Sequence, residues 1–257
     1  MNPLSAKLIG HRGYPLVFPE NTLEGIRGAL QAGAILVEFD VQLSRDGVPI
    51  VYHDATLART SGQPGSVLDL PAAELVRTGA GEPARFGAEF ADVRIPTLEQ
   101  VSALLAQHPA CTAFVEIKEE SIERFGASAV VDATVRAIES IRKQAVLISF
   151  DREILPACRA HGLPIGWVVR AYDEPTRERL TALAPEFVFA NVKRIPPDPV
   201  EPWAGAWQWA VYDVVDPAQV LAWLRRGVHL VETWAIGEVL AATDPPRGRA
   251  SAGQSAK

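Results

Sequence analysis

The residues best equipped for chemistry gather in one stretch, Gly10 to Asp54, which reads GHRGYPLVFPENTLEGIRGALQAGAILVEFDVQLSRDGVPIVYHD. It holds His11 and His53. Imidazole titrates near neutral pH, so one of the two can take a proton while the other gives one. Neither has the short spacing of a zinc motif such as HExxH, which favours proton transfer over ligation. Glu38 and Asp40 stand two apart in an apolar run, so they share one face of a strand. A strand buried on both faces normally reads as unbroken Val, Ile and Leu, and unpaired buried charge is costly. Two carboxylates on one face therefore need cations. Arg or Lys at the rim could supply them, as could one hard divalent ion, Mg²⁺ or Ca²⁺, which takes oxygen ligands. Glu116, in FVEIK at the matching end of a later strand, adds a third carboxylate and favours the metal.

Arg12 and Lys118 place fixed positive charge beside these groups. They could pair with the carboxylates, or hold a phosphate and offset charge developing in a transition state. Glu20 and Asn21 precede a helix; Asn21 could cap it, or both could line the site. His108, His161 and His229 lack polar company and read as structural. Trp203, Trp207, Trp209, Tyr212 and Trp234 read as packing, although some could floor a substrate pocket.

These residues need a scaffold that ends several strands at one rim. Leu8–Gly10 and Ile35–Val41 read as strands, with a capped helix from Asn21 or Thr22 to about Ala32 between them. The Asp46-Gly47 turn returns the chain as a hairpin arm, Val48–Tyr52. Periodicity fades over residues 54–95, which read as an insertion with short helices. Beyond it, six more short strands alternate with amphipathic helices, an arrangement that builds a parallel sheet. Eight such strands favour a closed (β/α)8 barrel, an α/β fold in which the insertion follows the second strand's hairpin and precedes the third strand. No GxGxxG or GxxxxGK[ST] follows a strand, which counts against a nucleotide-binding sheet. One domain over residues 1–242, followed by an unstructured tail at 243–257, accounts for the length.

The formal net charge of -6 argues against a nucleic-acid partner, which needs a basic footprint. The two cysteines, Cys111 and Cys158, are isolated and read as reduced core residues rather than a disulfide framework. No apolar run is long enough to span a membrane and no leader is evident, so a cytoplasmic chain without stable membrane insertion is expected. The oligomeric state is not legible.

HRG, then PENT, VEFDVQLSRDGVPIVYHD, IPTLEQV and FVEIK together resemble the glycerophosphodiester phosphodiesterase family. The likeness is strongest over residues 7–60, continues through Glu116–Lys118 and weakens toward residue 235. It implies a TIM barrel in which Glu38, Asp40 and Glu116 bind one divalent metal, with Glu20 nearby or ligating. It implies that His11 and His53 are the acid–base pair, with His11 favoured as base, and that Arg12 grips the phosphate beside Lys118. The implied substrate is a small glycerophosphodiester, cleaved through a cyclic phosphate to sn-glycerol 3-phosphate and an alcohol. A lysophospholipase D-like action on lipids, or a phosphate-binding barrel without catalysis, are the alternatives. Relatives commonly end the eighth strand with Thr-Asp; here Thr233 is followed by Trp234, which bears on the pocket floor.

Overall fold

The computed structural model of the chain describes residues 4–243. The tail expected from residue 243 lies outside them, apart from Thr243 itself, which ends the last helix.

Strands β1 (Leu8–Gly10), β2 (Leu36–Leu43), β3 (Pro49–Val51), β4 (Thr112–Ile117), β5 (Ala145–Ser149), β6 (Ile165–Val169), β7 (Phe187–Asn191), β8 (Gln208–Tyr212) and β9 (Leu230–Thr233) form one sheet. Its order is β1-β9-β8-β7-β6-β5-β4-β2-β3, and pairing of β1 with β2 closes it. Eight strands are parallel; β3 alone pairs antiparallel, on β2, outside the closed ring. Helices pack around the outside, as a parallel sheet buried on both faces requires.

Local signals explain the helix ends. Thr22 caps the helix Leu23–Gln31 by accepting from the Gly25 N–H, and Gly33 then takes a positive φ of 101° that favours glycine. Thr97 and Gln100 make a reciprocal capping box at Leu98–Leu105. The helix Ala127–Ala137 is followed by a 3-10 segment, and Gly126 at φ 86° separates it from a helix at Glu119–Phe125.

The strands' alternation sorts their side chains into two layers. Outward residues such as Val37, Phe39, Val115 and Leu147 pack under the helices. Inward residues Ile9, Phe114, Val146, Ile148, Val168, Phe189, Ala210 and Leu230 fill the barrel with an apolar plug. Residues 54–95 carry short helices and bury Leu57, Val67, Leu75 and Ile95 in a small core of their own against Ile50 and Tyr52. Cys111 and Cys158 are buried and free. Among the described residues no helix is long and apolar enough to cross a membrane.

Candidate active site

Above the apolar plug, at the strands' C-terminal ends, the inward side chains turn polar. Register sets Asp40 level with Glu116 across the β2–β4 pair, with Glu38 one inward position lower beside Phe114. His11 follows β1, and its backbone N–H donates to the Thr233 carbonyl at 3.1 Å, tying it to the end of β9. A cleft of about 530 Å³ opens here, lined by His11, Arg12, Asp40, His53, Glu116 and Lys118 among others. Catalytic groups of a (β/α)8 barrel collect at this end.

The HRG turn is built by backbone geometry. Arg12 and Gly13 both have positive φ, 55° and 90°. A Cβ on Gly13 would lie 2.6 Å from the Gly25 carbonyl carbon, so only glycine lets the turn settle on the helix. That turn aims the Arg12 N–H at Glu38 Oε2, 3.0 Å away. Its guanidinium donates to Glu20 at 2.9 Å and lies 3.3 Å from Asp40. Asn21, at φ 56°, clamps Asp40 twice: its amide donates to the carboxylate at 2.8 Å, and its oxygen accepts the Asp40 N–H at 3.0 Å. Glu20 is taken up by two arginines, Arg12 and Arg59, the latter in a two-point grip at 2.7 and 2.8 Å. Lys118 Nζ lies 2.7 Å from Glu116 and 3.3 Å from Asp40. The structure thus brings all nine predicted residues together, with Glu20 and Asn21 behind the cleft rather than on its surface.

The electrostatics divide the carboxylates. Burial opposes ionisation of Asp40, yet Lys118 and Arg12 hold it well below the usual carboxylate range. Burial pushes Glu38 up, and neighbouring Asp40 and Glu232 push it further. Burial likewise raises Glu116 against the pull of Lys118. His11 is driven well below its ordinary value, first by burial and then by Arg12.

The two imidazoles are held differently. His53 Nδ1 lies 2.5 Å from Asp54 Oδ1, and Arg59 grips both oxygens of that Asp54 at 2.7 and 3.0 Å. His11 Nδ1 instead receives the indole N–H of Trp234 at 2.6 Å, while its Nε2 is 3.9 Å from Glu38 Oε2.

Three functional neighbours escaped the sequence reading. Glu232 is buried beside Glu38, and its raised pKa follows from burial and then from Glu116. The LVET of β9 carries the same signal as FVEI, a lone acid in an apolar strand end, and could have been found. Arg59 sits in the insertion, where no periodicity marks it. Trp234 was noted in an aromatic cluster and as the residue that follows Thr233 where relatives carry Asp, but not as a partner of His11. That cluster splits: Trp203, Trp207 and Trp209 line a separate cavity with His229, whereas Tyr212 and Trp234 stand beside His11. His161 has polar company after all, 3.3 Å from Asp132.

The donor set fits a hard divalent cation. Ligand atoms of Glu38, Asp40 and Glu116 lie within 4.8 Å of one another. Glu38 Oε1 is buried with no hydrogen-bond partner, an orphan that a cation would satisfy. Glu38, Asp40, Glu116 and Glu232 crowd around Arg12 and Lys118, and Arg12 is shared with Glu20, so full ionisation leaves negative charge in excess, which a dication would offset.

The profile of the glycerophosphoryl diester phosphodiesterase family matches residues 11–233. A glycerophosphodiester phosphodiesterase of Caldanaerobacter subterraneus is 42% identical over 98 residues, 38% of this chain and 40% of the relative. One from Bacillus altitudinis is 40% identical over 119 residues, 46% of this chain and 47% of the relative. In both, the chain spans less than half of the relative's length. An Oleispira antarctica phosphodiesterase, solved with its product sn-glycerol-3-phosphate, superposes with a TM-score of 0.80 at 25% identity, covering 92% of this chain and 96% of that one. A glycerophosphodiester phosphodiesterase from Thermotoga maritima gives 0.67 at 25% identity, covering 92% and 98%.

Proposed function

Because the chain belongs to the glycerophosphoryl diester phosphodiesterase family, we propose that it hydrolyses small glycerophosphodiesters to sn-glycerol 3-phosphate and an alcohol, with residues 1–242 as one catalytic unit. The observation that carries this reading is the convergence at one barrel mouth of two imidazoles, two fixed cations and a carboxylate set with an orphaned oxygen. The bound product of the Oleispira antarctica relative supports the substrate class.

In this reading Arg12 and Lys118 draw the phosphodiester into the cleft and stabilise negative charge gathering on its non-bridging oxygens. Glu38, Asp40 and Glu116 would hold one Mg²⁺ or Ca²⁺, which adds Lewis-acid stabilisation of the same charge. Asn21 fixes Asp40, and Glu20 aims Arg12; both act on substrate through those partners. The glycerol 2-hydroxyl gives its proton to one imidazole and attacks phosphorus. The alcohol departs on the side of the other imidazole and gains its proton there. Water then opens the cyclic phosphate, its proton replacing the one the alcohol took, and the first imidazole returns its own proton to the 2-oxygen.

Following glycerophosphocholine by phosphorus NMR tests this sequence. Build-up of sn-glycerol 3-phosphate, with a transient cyclic ester, is expected, and an analogue lacking the 2-hydroxyl should not turn over. Equal turnover of that analogue would rule out the cyclic route.

One observation favours a lipid substrate as the second reading. Leu16, Val17 and Trp234 are exposed apolar residues beside the mouth, and the Leu16 N–H bonds the Trp234 carbonyl at 3.1 Å. Faster turnover of lysophosphatidylcholine than of glycerophosphocholine would select it.

A further inference from the structure

We propose that Trp234 is a positioning residue for His11: its indole N–H fixes the imidazole with the ring hydrogen on Nε2, so His11 works as a hydrogen-bond donor and leaves proton abstraction to His53. This assignment rests on the phosphodiesterase reading and reverses the one that the family resemblance favours.

The argument begins with what an indole can do. Trp Nε1–H has a hydrogen to give and no lone pair to accept with. At 2.6 Å from His11 Nδ1 it requires a lone pair there. An imidazole with a bare Nδ1 carries its one hydrogen on Nε2, the nitrogen turned inward toward Glu38. A general base at the phosphorus needs a bare inward nitrogen, and a general acid needs hydrogens on both nitrogens; the indole excludes both. What remains is a neutral donor, a role an imidazole can fill as an electrophile. The same hydrogen removes His11 from the His11–Glu38–Glu232 group as a ligand, leaving the carboxylates to hold any cation.

The backbone that carries Trp234 is pinned where its indole can do this. Thr233 Oγ1 accepts the Ala235 N–H at 3.1 Å, the Trp234 carbonyl takes the Leu16 N–H, and the helix Ile236–Thr243 begins at once. Trp234 is 41% exposed, so it is no core residue placed there for burial alone.

His53 is prepared in the opposite sense. Asp54, gripped by Arg59, is an acceptor and takes the Nδ1 hydrogen, so in the neutral His53 ring Nε2 is the bare nitrogen. His53 therefore removes the 2-hydroxyl proton. The departing alkoxide receives a hydrogen bond from His11 Nε2–H and takes its proton from water. The hydroxide so formed opens the cyclic ester as His53 gives its proton back to the 2-oxygen, so one water is consumed and His11 is unchanged.

The test has two arms. Long-range nitrogen–proton NMR of the wild-type chain in EDTA should find His11 with a bare Nδ1 and a protonated Nε2, and His53 the reverse. Trp234→Phe keeps an aromatic ring and removes the donor; His11 should then populate both tautomers. On glycerophosphocholine its kcat should fall about 3- to 10-fold, the worth of one hydrogen bond, with KM unchanged. On a glycerophospho-p-nitrophenyl ester, whose leaving group needs little help, kcat should hold. Equal losses on both substrates, or a protonated Nδ1 in wild-type His11, would overturn the proposal. A wild-type chain inactive on every glycerophosphodiester would defeat the functional reading and the role given to His11, while its tautomer would still be read by NMR.

Discussion

Replacing Glu38 with Gln should stabilise the metal-free protein while abolishing its response to divalent ions. Glu38 Oε2 accepts the Arg12 N–H, whereas Oε1 is buried without a partner and faces like charge from Asp40 and Glu232. A glutamine keeps the acceptor, and its amide can donate to Glu232. Leaving a buried polar atom unsatisfied costs about 1–3 kcal/mol, so Glu38→Gln should return about 1–2 kcal/mol of that. For a chain of this size that is about 2–8 °C in melting temperature. Thermal unfolding of both proteins in EDTA, and again with Ca²⁺ or Mg²⁺, is the assay. The wild type should gain stability on adding an ion in proportion to its affinity; the variant should melt higher in EDTA and gain little. A variant that melts lower in EDTA, or that keeps the full ion-induced gain, would refute the view that Glu38 is strained in readiness for a cation.

Other consequences concern the supports of the site. Asp54→Asn replaces a carboxylate that only accepts with an uncharged amide that can donate to His53 Nδ1, and should lower kcat by about 100-fold or more with little change in KM; a loss under about 3-fold in steady-state assays would exclude that role. Gly13→Ala forces a Cβ against the Gly25 backbone at positive φ and should cost about 1–3 kcal/mol in urea unfolding. Gly47→Ala, also at positive φ but with nothing within 4 Å, should cost less; equal costs would remove the packing argument. The ion's stabilising effect should also grow with pH. Glu38, Glu116 and Glu232 have raised folded values, so they favour the fold while protonated and oppose it as pH climbs from about 4.3 through those values. A cation competes with those protons, so the shift in melting temperature on adding Ca²⁺ should be larger at pH 8 than at pH 5.5; equal shifts would show the carboxylates ionised throughout.

The eight-strand alternation and the polar rim were legible because each strand announces itself locally, by apolar runs bounded by turns and by single acids inside them. Glu38, Asp40 and Glu116 stand out for that reason, and Glu232 carries the same mark. What sequence could not give is pairing between distant side chains. Trp234 and His11 are 223 residues apart and meet only because β9 lies beside β1 in the closed ring. Arg59 links Asp54 to Glu20 from an insertion whose short helices leave no period to read. The types of the candidate catalytic groups were written in the chain, but their protonation states depend on neighbours that only the fold supplies.

The central claim, cation-dependent cleavage of glycerophosphodiesters at this barrel mouth, is tested most directly by glycerol 3-phosphate release from glycerophosphocholine. The assay is run with EDTA and then with Mg²⁺ or Ca²⁺ restored. Release should vanish with the chelator and return with one of the ions. Undiminished release in EDTA would contradict the cation's role, and no release with either ion would contradict the reaction itself.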